Sequence, residues 1–342
     1  MTSGVTAVLG TGLIGSSIGI ALRAAGFSVT AWDPDEAHLD GAERIGALDR
    51  RAASQSDAME GADLVVLAVP AEATVALVSS LETDALVIDV AGVKAPIAIA
   101  GARLPHFVPT HPMAGAETSG PEGASGSLFR GATWVVVTDH ASRSDIDRVV
   151  DLVAELGAEP VEMSAAEHDL AVALASHLPH LTASALVDIV AAHPDALSVA
   201  AGGFRDLTRI AASKAPWWPE VLVENRVAVG QALEELLDRL AQIAAELQSG
   251  DKSVIADRLD TTADIRRSMS APVVAVRLVL EDRPGQMALV GAALSASSVD
   301  LRDLQLRHAT HGGGGVLTLS VRPDEAEKLS EALLLQGFTL LD

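Results

Sequence analysis

Over its first half the chain alternates short, wholly apolar runs with stretches in which apolar residues recur every three or four positions. Val5 to Leu9, Ser28 to Trp32, Leu64 to Val69 and Ala85 to Val90 are such runs, too short for helices and without a polar face. That pattern reads as parallel strands buried on both sides, separated by crossover helices. His106 to His111, Trp134 to Thr138 and Pro160 to Met163 add further strands. Together they predict a Rossmann-type, doubly wound α/β domain over residues 1–164.

From Ala165 the period becomes helical throughout, with many alanines and leucines, and an all-helical second domain is expected over residues 165–262. Pro179 falls inside the first of these helices and should kink it, because proline has no backbone N–H to give. Leu233, Leu236, Leu237, Leu240, Ile243 and Leu247 form one broad stripe on a later helix. Such a stripe is a core or a subunit face, and it predicts a homodimer through the helical domain. Gly250 to Ala271 is polar and poorly periodic, and reads as a linker with a short helix. Beyond it, a strand from Val273 to Leu280 leads through the turn Asp282-Arg283-Pro284-Gly285 into a helix from Gln286 to Ser297. A strand from Val299 to His308, one from Val316 to Val321, a helix from Asp324 to Gln336 and a last strand from Phe338 to Leu341 follow. The order β-α-β-β-α-β predicts a ferredoxin-like α+β module over residues 272–342.

Composition narrows the function. The 342 residues exceed one ordinary hydrophobic core, in keeping with two or three domains. Against 24 Lys and Arg stand 46 Asp and Glu, a net charge of −22, so a nucleic acid backbone would be repelled and nucleic acid is not an expected partner. Cysteine is absent, which excludes disulfides, thiolate metal sites and a cysteine nucleophile and accords with a cytoplasmic protein. No signal-peptide pattern opens the sequence, and no uninterrupted apolar run approaches the roughly 18 residues of a membrane span, so no membrane association is expected.

The first strand runs into Gly10-Thr11-Gly12-Leu13-Ile14-Gly15 and then a helix. Glycine allows the tight turn at the first position, lets backbone approach a pyrophosphate at the second and lets helix and strand pack closely at the third. The helix N-terminus then faces the anion. Asp33 ends the second strand, 21 residues after Gly12, where a carboxylate accepts hydrogen bonds from ribose hydroxyls and repels a 2′-phosphate. NAD is therefore the expected cofactor, with Val69 and Pro70 at the next strand end on its nicotinamide side.

His111 ends a strand in His111-Pro112-Met113-Ala114-Gly115-Ala116-Glu117, placed to take a proton from a substrate hydroxyl as hydride departs. His177 and His180, three apart around Pro179, share a helix face. They suit recognition of a polar substrate, and no third ligand is in sight to make them a metal site. In Gly202-Gly203-Phe204-Arg205-Asp206-Leu207-Thr208-Arg209, either Arg205 or Arg209 offers the rigid fork that holds a carboxylate, and Asp206 can orient Arg209 at i,i+3. Trp217-Trp218 and Glu224-Asn225-Arg226 follow, and Trp218 is taken as a substrate-binding residue.

Four segments, Gly10 to Gly15, His111 to Gly115, Ser176 to His180 and Phe204 to Ala211, make nearly the whole chain resemble the prephenate/arogenate dehydrogenase family. The C-terminal module resembles an ACT domain, with Asp282 to Gly285 at its first turn. The resemblance implies NAD-dependent oxidative decarboxylation of prephenate to 4-hydroxyphenylpyruvate for tyrosine biosynthesis, or of arogenate to tyrosine. It implies that His111 hydrogen-bonds the ring 4-hydroxyl and promotes its deprotonation, that Arg209 binds the ring carboxylate, that His180 contacts the substrate side chain and that Glu117 gates the site. It further implies tyrosine as an effector at the ACT-like module. One position departs from the family: a serine usually precedes Val-Lys after the fifth strand, and here Gly92 stands there. Other Rossmann-plus-helices oxidoreductases fit less well. A β-hydroxyacid dehydrogenase needs a helical-domain lysine with an asparagine one turn on, and a ketol-acid reductoisomerase needs clustered carboxylates. A non-catalytic sensor of NAD and amino acids on the same fold is the reading from another class, opposed by the retained His111, His180 and Arg209.

Overall fold

A computed structural model describes residues 4–115, 118, 120–212, 218–269, 273–308 and 314–341. The chain folds as two compact units, Met1–Arg239 and Leu240–Asp342.

The first unit is built on eight strands: β1 (Val5–Leu9), β2 (Ser28–Trp32), β3 (Arg50–Arg51), β4 (Leu64–Leu67), β5 (Leu86–Asp89), β6 (Phe107–Pro112), β7 (Thr133–Val137) and β8 (Glu159–Met163). They lie in the order β3-β2-β1-β4-β5-β6-β7-β8. All pairings are parallel except β6 with β7, so the last two strands run against the rest. The antiparallel turn-back and the two-residue β3 are absent from the hydrophobic pattern; the latter is too short to show a period. Successive residues of each central strand enter opposite cores, Val8, Val66 and Ile88 on one face and Ala7, Leu9, Val65, Leu67 and Val87 on the other. This is why the strands read as unbroken apolar runs. Helices α1 (Leu13–Ala24), α2 (Glu36–Arg44), α3 (Gln55–Met59), α4 (Ala71–Ser80), α5 (Ala95–Gly101) and α6 (Arg143–Glu155) connect the strands. Strand order reverses between β1 and β4, which opens a crevice at their C-terminal ends.

A helical rod follows: α7 (Ala165–Val172), a π-helical turn at Ala173–His177 and α8 (Leu178–Ala191). Ser164 and Glu167 close its start with a reciprocal capping box. Pro179 sits in the first turn of α8, inside the rod. The wide turn just before it, in which the Leu178 N–H reaches the Ala173 carbonyl five residues back, absorbs the ring. The rod has 27 residues and contains an 18-residue stretch of mean hydropathy 1.4, long and apolar enough to cross a membrane on length and composition. It nevertheless buries His168, Asp169 and His177 among polar groups of the same unit. Then come α9 (Pro194–Ser198), α10 (Gly202–Thr208), a 3₁₀ turn at Arg209–Ala212, α11 (Trp218–Glu224) and α12 (Arg226–Ser249).

In the second unit, α13 (Lys252–Ser268) replaces the expected linker with seventeen helical residues. Asp251 caps it by accepting from the Ser253 N–H, and Arg266 and Arg267 occupy its last turn, where the helix dipole favours cations. The remaining elements are β9 (Val274–Leu280), α14 (Gln286–Ser297), β10 (Asp303–His308), β11 (Gly315–Val321), α15 (Ala326–Leu335) and β12 (Leu340–Leu341). The antiparallel sheet runs β10-β11-β9-β12. Alternate residues of β9 and β11, Val276, Leu278, Leu280, Leu317, Leu319 and Val321, pack with Val290, Leu329 and Leu333 of the two helices.

Candidate active site

The crevice at the β1 and β4 ends is held open by glycine. A Cβ on Gly10, whose φ is +98°, would lie 2.3 Å from the Ala68 carbonyl oxygen, and one on Gly15 would lie 2.0 Å from the Gly10 oxygen. Neither position admits a side chain. Gly12 has nothing within 4 Å of its Cβ position, so the one open face of the turn lies at the start of α1, where N–H groups and the helix dipole favour an anion. Leu13 and Ile14 begin that helix, and Ile14 packs on the sheet. Thr11 is buried and ties the turn to β2: its N–H and its hydroxyl donate to Asp33 Oδ2 at 2.6 and 3.0 Å. Asp33 Oδ1 accepts from the Asp35 N–H at 2.9 Å. A carboxylate offers about four lone-pair sites, so Asp33 retains capacity for ribose hydroxyls after these three bonds. An open turn for a pyrophosphate, a positive helix end and a carboxylate at the second strand end fit a dinucleotide.

Beside this turn lies a pocket of about 440 Å³. The ends of three strands supply one wall: Val69, Pro70 and Ala71 after β4, Ala91 and Gly92 after β5, and His111 to Gly115 at β6. Val172, Ser176 and His177 from the rod and Trp218, Glu220, Val221 and Glu224 from α11 supply the other. Val69 joins pocket and glycine turn, since its Cγ1 is 3.0 Å from the Gly10 Cβ position. His111 Nδ1 is 2.9 Å from His168 Nε2, and its other edge faces Gly92, whose Cβ position is 3.9 Å from His111 Nε2. Burial, then the neighbouring His168, Lys94 and His177, holds the His111 imidazole well below its ordinary pKa, so it is neutral and able to accept a proton.

Of the residues expected at the site, Val69, Pro70, Gly92, His111, His177 and Trp218 line one pocket, and the glycine turn with Asp33 adjoins it. His180 stands one ring behind, stacked on Trp218 at 4.2 Å with 17° between planes, while His177 meets the same indole edge-on at 5.8 Å. Arg209 and Asp206 are exposed and are not among the pocket residues; the 3₁₀ turn carrying Arg209 packs on α8. Glu117 and Trp217 lie outside the described residues.

Four buried polar residues complete the site without having been singled out in the sequence. His168 bridges His111 to Asp169, and Asn225 donates to the Asp169 carbonyl at 2.8 Å and lies 3.3 Å from His177 Nδ1. Lys94 is wholly buried in an ion pair with Asp89 and donates to the Thr110 carbonyl at 2.7 Å, directly before His111. Burial pushes the Asp89 carboxyl up and the Lys94 ammonium down, each against the pull of the other. In the sequence His168 and Asp169 are adjacent near the start of the rod, and Asn225 falls between Glu224 and Arg226 at the break between α11 and α12, so no local pattern marks them. Among the described residues no group of His, Asp and Glu is arranged to hold a metal.

Residues 18–162 match the prephenate dehydrogenase nucleotide-binding domain, and residues 164–261 match the prephenate dehydrogenase dimerization domain. A cyclohexadienyl dehydrogenase from Zymomonas mobilis is 31% identical over 278 residues, 77% of this chain and 95% of its own. The chain belongs to the prephenate dehydrogenase family. A family member from Bacillus subtilis, a prephenate dehydrogenase, is 28% identical over 345 residues, 94% of this chain and 93% of that one. Among solved structures, prephenate dehydrogenase from A. aeolicus in complex with hydroxyphenyl propionate and NAD+ superposes with a TM-score of 0.71 at 25% identity, covering 78% of this chain and 98% of that one. The family's dimerization domain coincides with the helical rod and the helices after it.

Proposed function

We propose that this protein is an NAD-dependent prephenate dehydrogenase, converting prephenate to 4-hydroxyphenylpyruvate. The observation that carries the reading is a neutral His111 in the wall of a pocket that begins at the β4 end, beside the glycine turn, in a chain of this family. Gly10, Thr11, Gly12, Leu13, Ile14, Gly15, Asp33, Val69 and Pro70 would hold the dinucleotide, which supplies the hydride acceptor. His111 Nε2 receives the proton of the ring hydroxyl as the carbonyl forms. Loss of the ring carboxylate as CO2 restores aromaticity, so the protein's task is to orient the ring and exclude water.

Trp218 and the two histidines around it offer a flat wall for the ring and its side chain, with Gly92 leaving room next to His111. Arg209 forms no ion pair with any described residue, Asp206 included, and we assign its free fork to the ring carboxylate. Purified protein with prephenate and NAD+ should form NADH and 4-hydroxyphenylpyruvate in equal amounts; no NADH with either cyclohexadienyl substrate sinks the reading. Arg209→Ala should raise KM at least tenfold with a smaller change in kcat.

Glu220 and Glu224 in the pocket wall support a second reading, in which the side chain carries an ammonium group and the substrate is arogenate. Burial, then Glu220 and Glu72, raises the Glu224 carboxyl, and one of its oxygens has no partner among the described residues. Comparison of kcat/KM for the two substrates decides between them. The reading further divides the chain at 1–164, 165–262 and 272–342, with a homodimer through the second segment, tyrosine as effector of the third, and a cytoplasmic location. Tyrosine inhibition that survives removal of residues 272–342 argues against the effector site.

A further inference from the structure

His111 does not stand alone in the pocket wall. Its Nδ1 is 2.9 Å from Nε2 of His168, and His168 Nδ1 is 2.8 Å from Oδ1 of Asp169. His168 is wholly buried. The Asp169 carboxylate is fixed from its far side by two backbone donors at the start of α5, the Lys94 N–H on Oδ1 at 2.7 Å and the Ala95 N–H on Oδ2 at 2.9 Å. Its own carbonyl accepts from Asn225, so backbone and side chain are both pinned.

These contacts place every proton in the row. Backbone N–H groups only donate, so both Asp169 oxygens are acceptors and the carboxylate is ionised. His168 Nδ1 must then carry the hydrogen it gives to Asp169, and with that single ring hydrogen its Nε2 is bare. His111 Nδ1 must carry the hydrogen that points at that bare nitrogen. The remaining nitrogen, His111 Nε2, is therefore the unprotonated one, and it is the nitrogen beside Gly92, at the pocket.

We propose that His168 and Asp169 are positioning residues for His111, fixing the tautomer that makes it a base and taking over the charge it acquires. The proposal rests on the dehydrogenase reading. When the substrate O–H bond breaks, its electrons remain on oxygen to form the carbonyl as hydride passes to the nicotinamide dinucleotide, and the proton bonds to His111 Nε2. The Nδ1 hydrogen of His111 then passes to His168 Nε2. The positive charge comes to rest on a ring hydrogen-bonded to an ionised carboxylate, instead of on His111, where burial and the nearby Lys94 and His177 oppose it. One proton enters the row and one moves inward; loss of CO2 leaves a phenolate oxygen, which takes the proton back from His111 Nε2 as the hydrogen on His168 Nε2 returns to His111 Nδ1. In a serine protease triad, loss of such tautomer control lowers kcat by about 10⁴.

The test uses the full-length protein with ¹⁵N-labelled histidine. Long-range ¹⁵N–¹H spectra read which ring nitrogen carries hydrogen, with the His111 signals identified by their loss in His111→Gln. The wild type should show His111 protonated at Nδ1 and bare at Nε2, and Asp169→Asn and His168→Phe should both lose that single form. His168→Phe should lower kcat by roughly 10²-fold or more, with KM and the NAD+ dissociation constant within about threefold. His168→Gln, which restores an acceptor for His111, should recover part of the loss. Where Asp169→Asn fails to fold, the His168 pair decides. A wild-type His111 bearing its hydrogen on Nε2, or a His168→Phe kcat within about threefold of wild type, overturns the proposal. A wild type with the expected tautomer but no NADH formation overturns the dehydrogenase reading and leaves the tautomer assignment standing.

Discussion

Gly12 and Gly15 belong to one turn, yet a methyl group has opposite effects at the two. At Gly15 it meets the Gly10 carbonyl oxygen at 2.0 Å, so Gly15→Ala should lower the Tm of the cofactor-free protein, a cost on the order of 1–3 kcal/mol for overpacking. At Gly12 it meets nothing, so Gly12→Ala should melt like the wild type while its NAD+ dissociation constant rises at least tenfold, because the methyl fills the space a pyrophosphate needs. Thermal melts without cofactor, paired with calorimetric titration of NAD+, separate the two. For His111, a folded pKa well below 6.5 means the base stays unprotonated through neutral pH and is lost only on acidification. The acid limb of kcat/KM should therefore fall below pH 6.5, and a limb above it would contradict the buried setting. His111→Asn should lower kcat by about 10²-fold to 10⁴-fold. The glycine turn, Asp33 and His111 were legible because each sits in a local strand-end pattern. His168, Asp169 and Asn225 were not, because their roles arise from partners 48 to 75 residues away and nothing in their neighbours' periodicity marks them.

At the level of elements, the Lys94–Asp89 ion pair joins the end of β5 to α5 and, through Thr110, to β6. Asp89 also accepts from the Ala91 N–H at 3.0 Å, so both charges are well partnered although wholly buried. Lys94→Met strands a carboxylate in the core and should cost about 3–5 kcal/mol, read as a lower urea midpoint with an unchanged slope. The central strands were readable to within a residue or two because burial on both faces leaves no polar interruption. Helix α13 was not: none of its residues is buried in this chain, so it lacks an apolar face to reveal, and only its Asp251 cap and terminal arginines mark it. The exposed Arg209 is the converse case. Its sequence context was clear, while its distance from the pocket residues depends on how α10 and the 3₁₀ turn settle on α8.

For the whole molecule, a net charge of −22 means that acidification removes self-repulsion while also neutralising carboxylates that the fold uses. Glu325 shows the second effect within the C-terminal unit. Its hydrogen bond with Arg322, at 2.7 Å, lowers its pKa from 4.5 to about 2. A lowered folded-state value stabilises above the unfolded value and is lost as pH falls towards the folded one. Unfolding monitored in that unit should thus weaken between about pH 4.5 and pH 2, and Glu325→Gln should flatten that slope; an identical slope removes Glu325 from the account.

The five-residue wide turn at 173–177 has a consequence for comparing such chains. In an uninterrupted α-helix, residues nine apart such as 168 and 177 point about 180° away from each other. The extra residue in the turn swings the later histidine round by about 100°, so that Asn225 can touch both it and the Asp169 carbonyl. A relative one residue shorter here would show a gap in mid-helix with no loop to explain it, and would have to find its second histidine one place along.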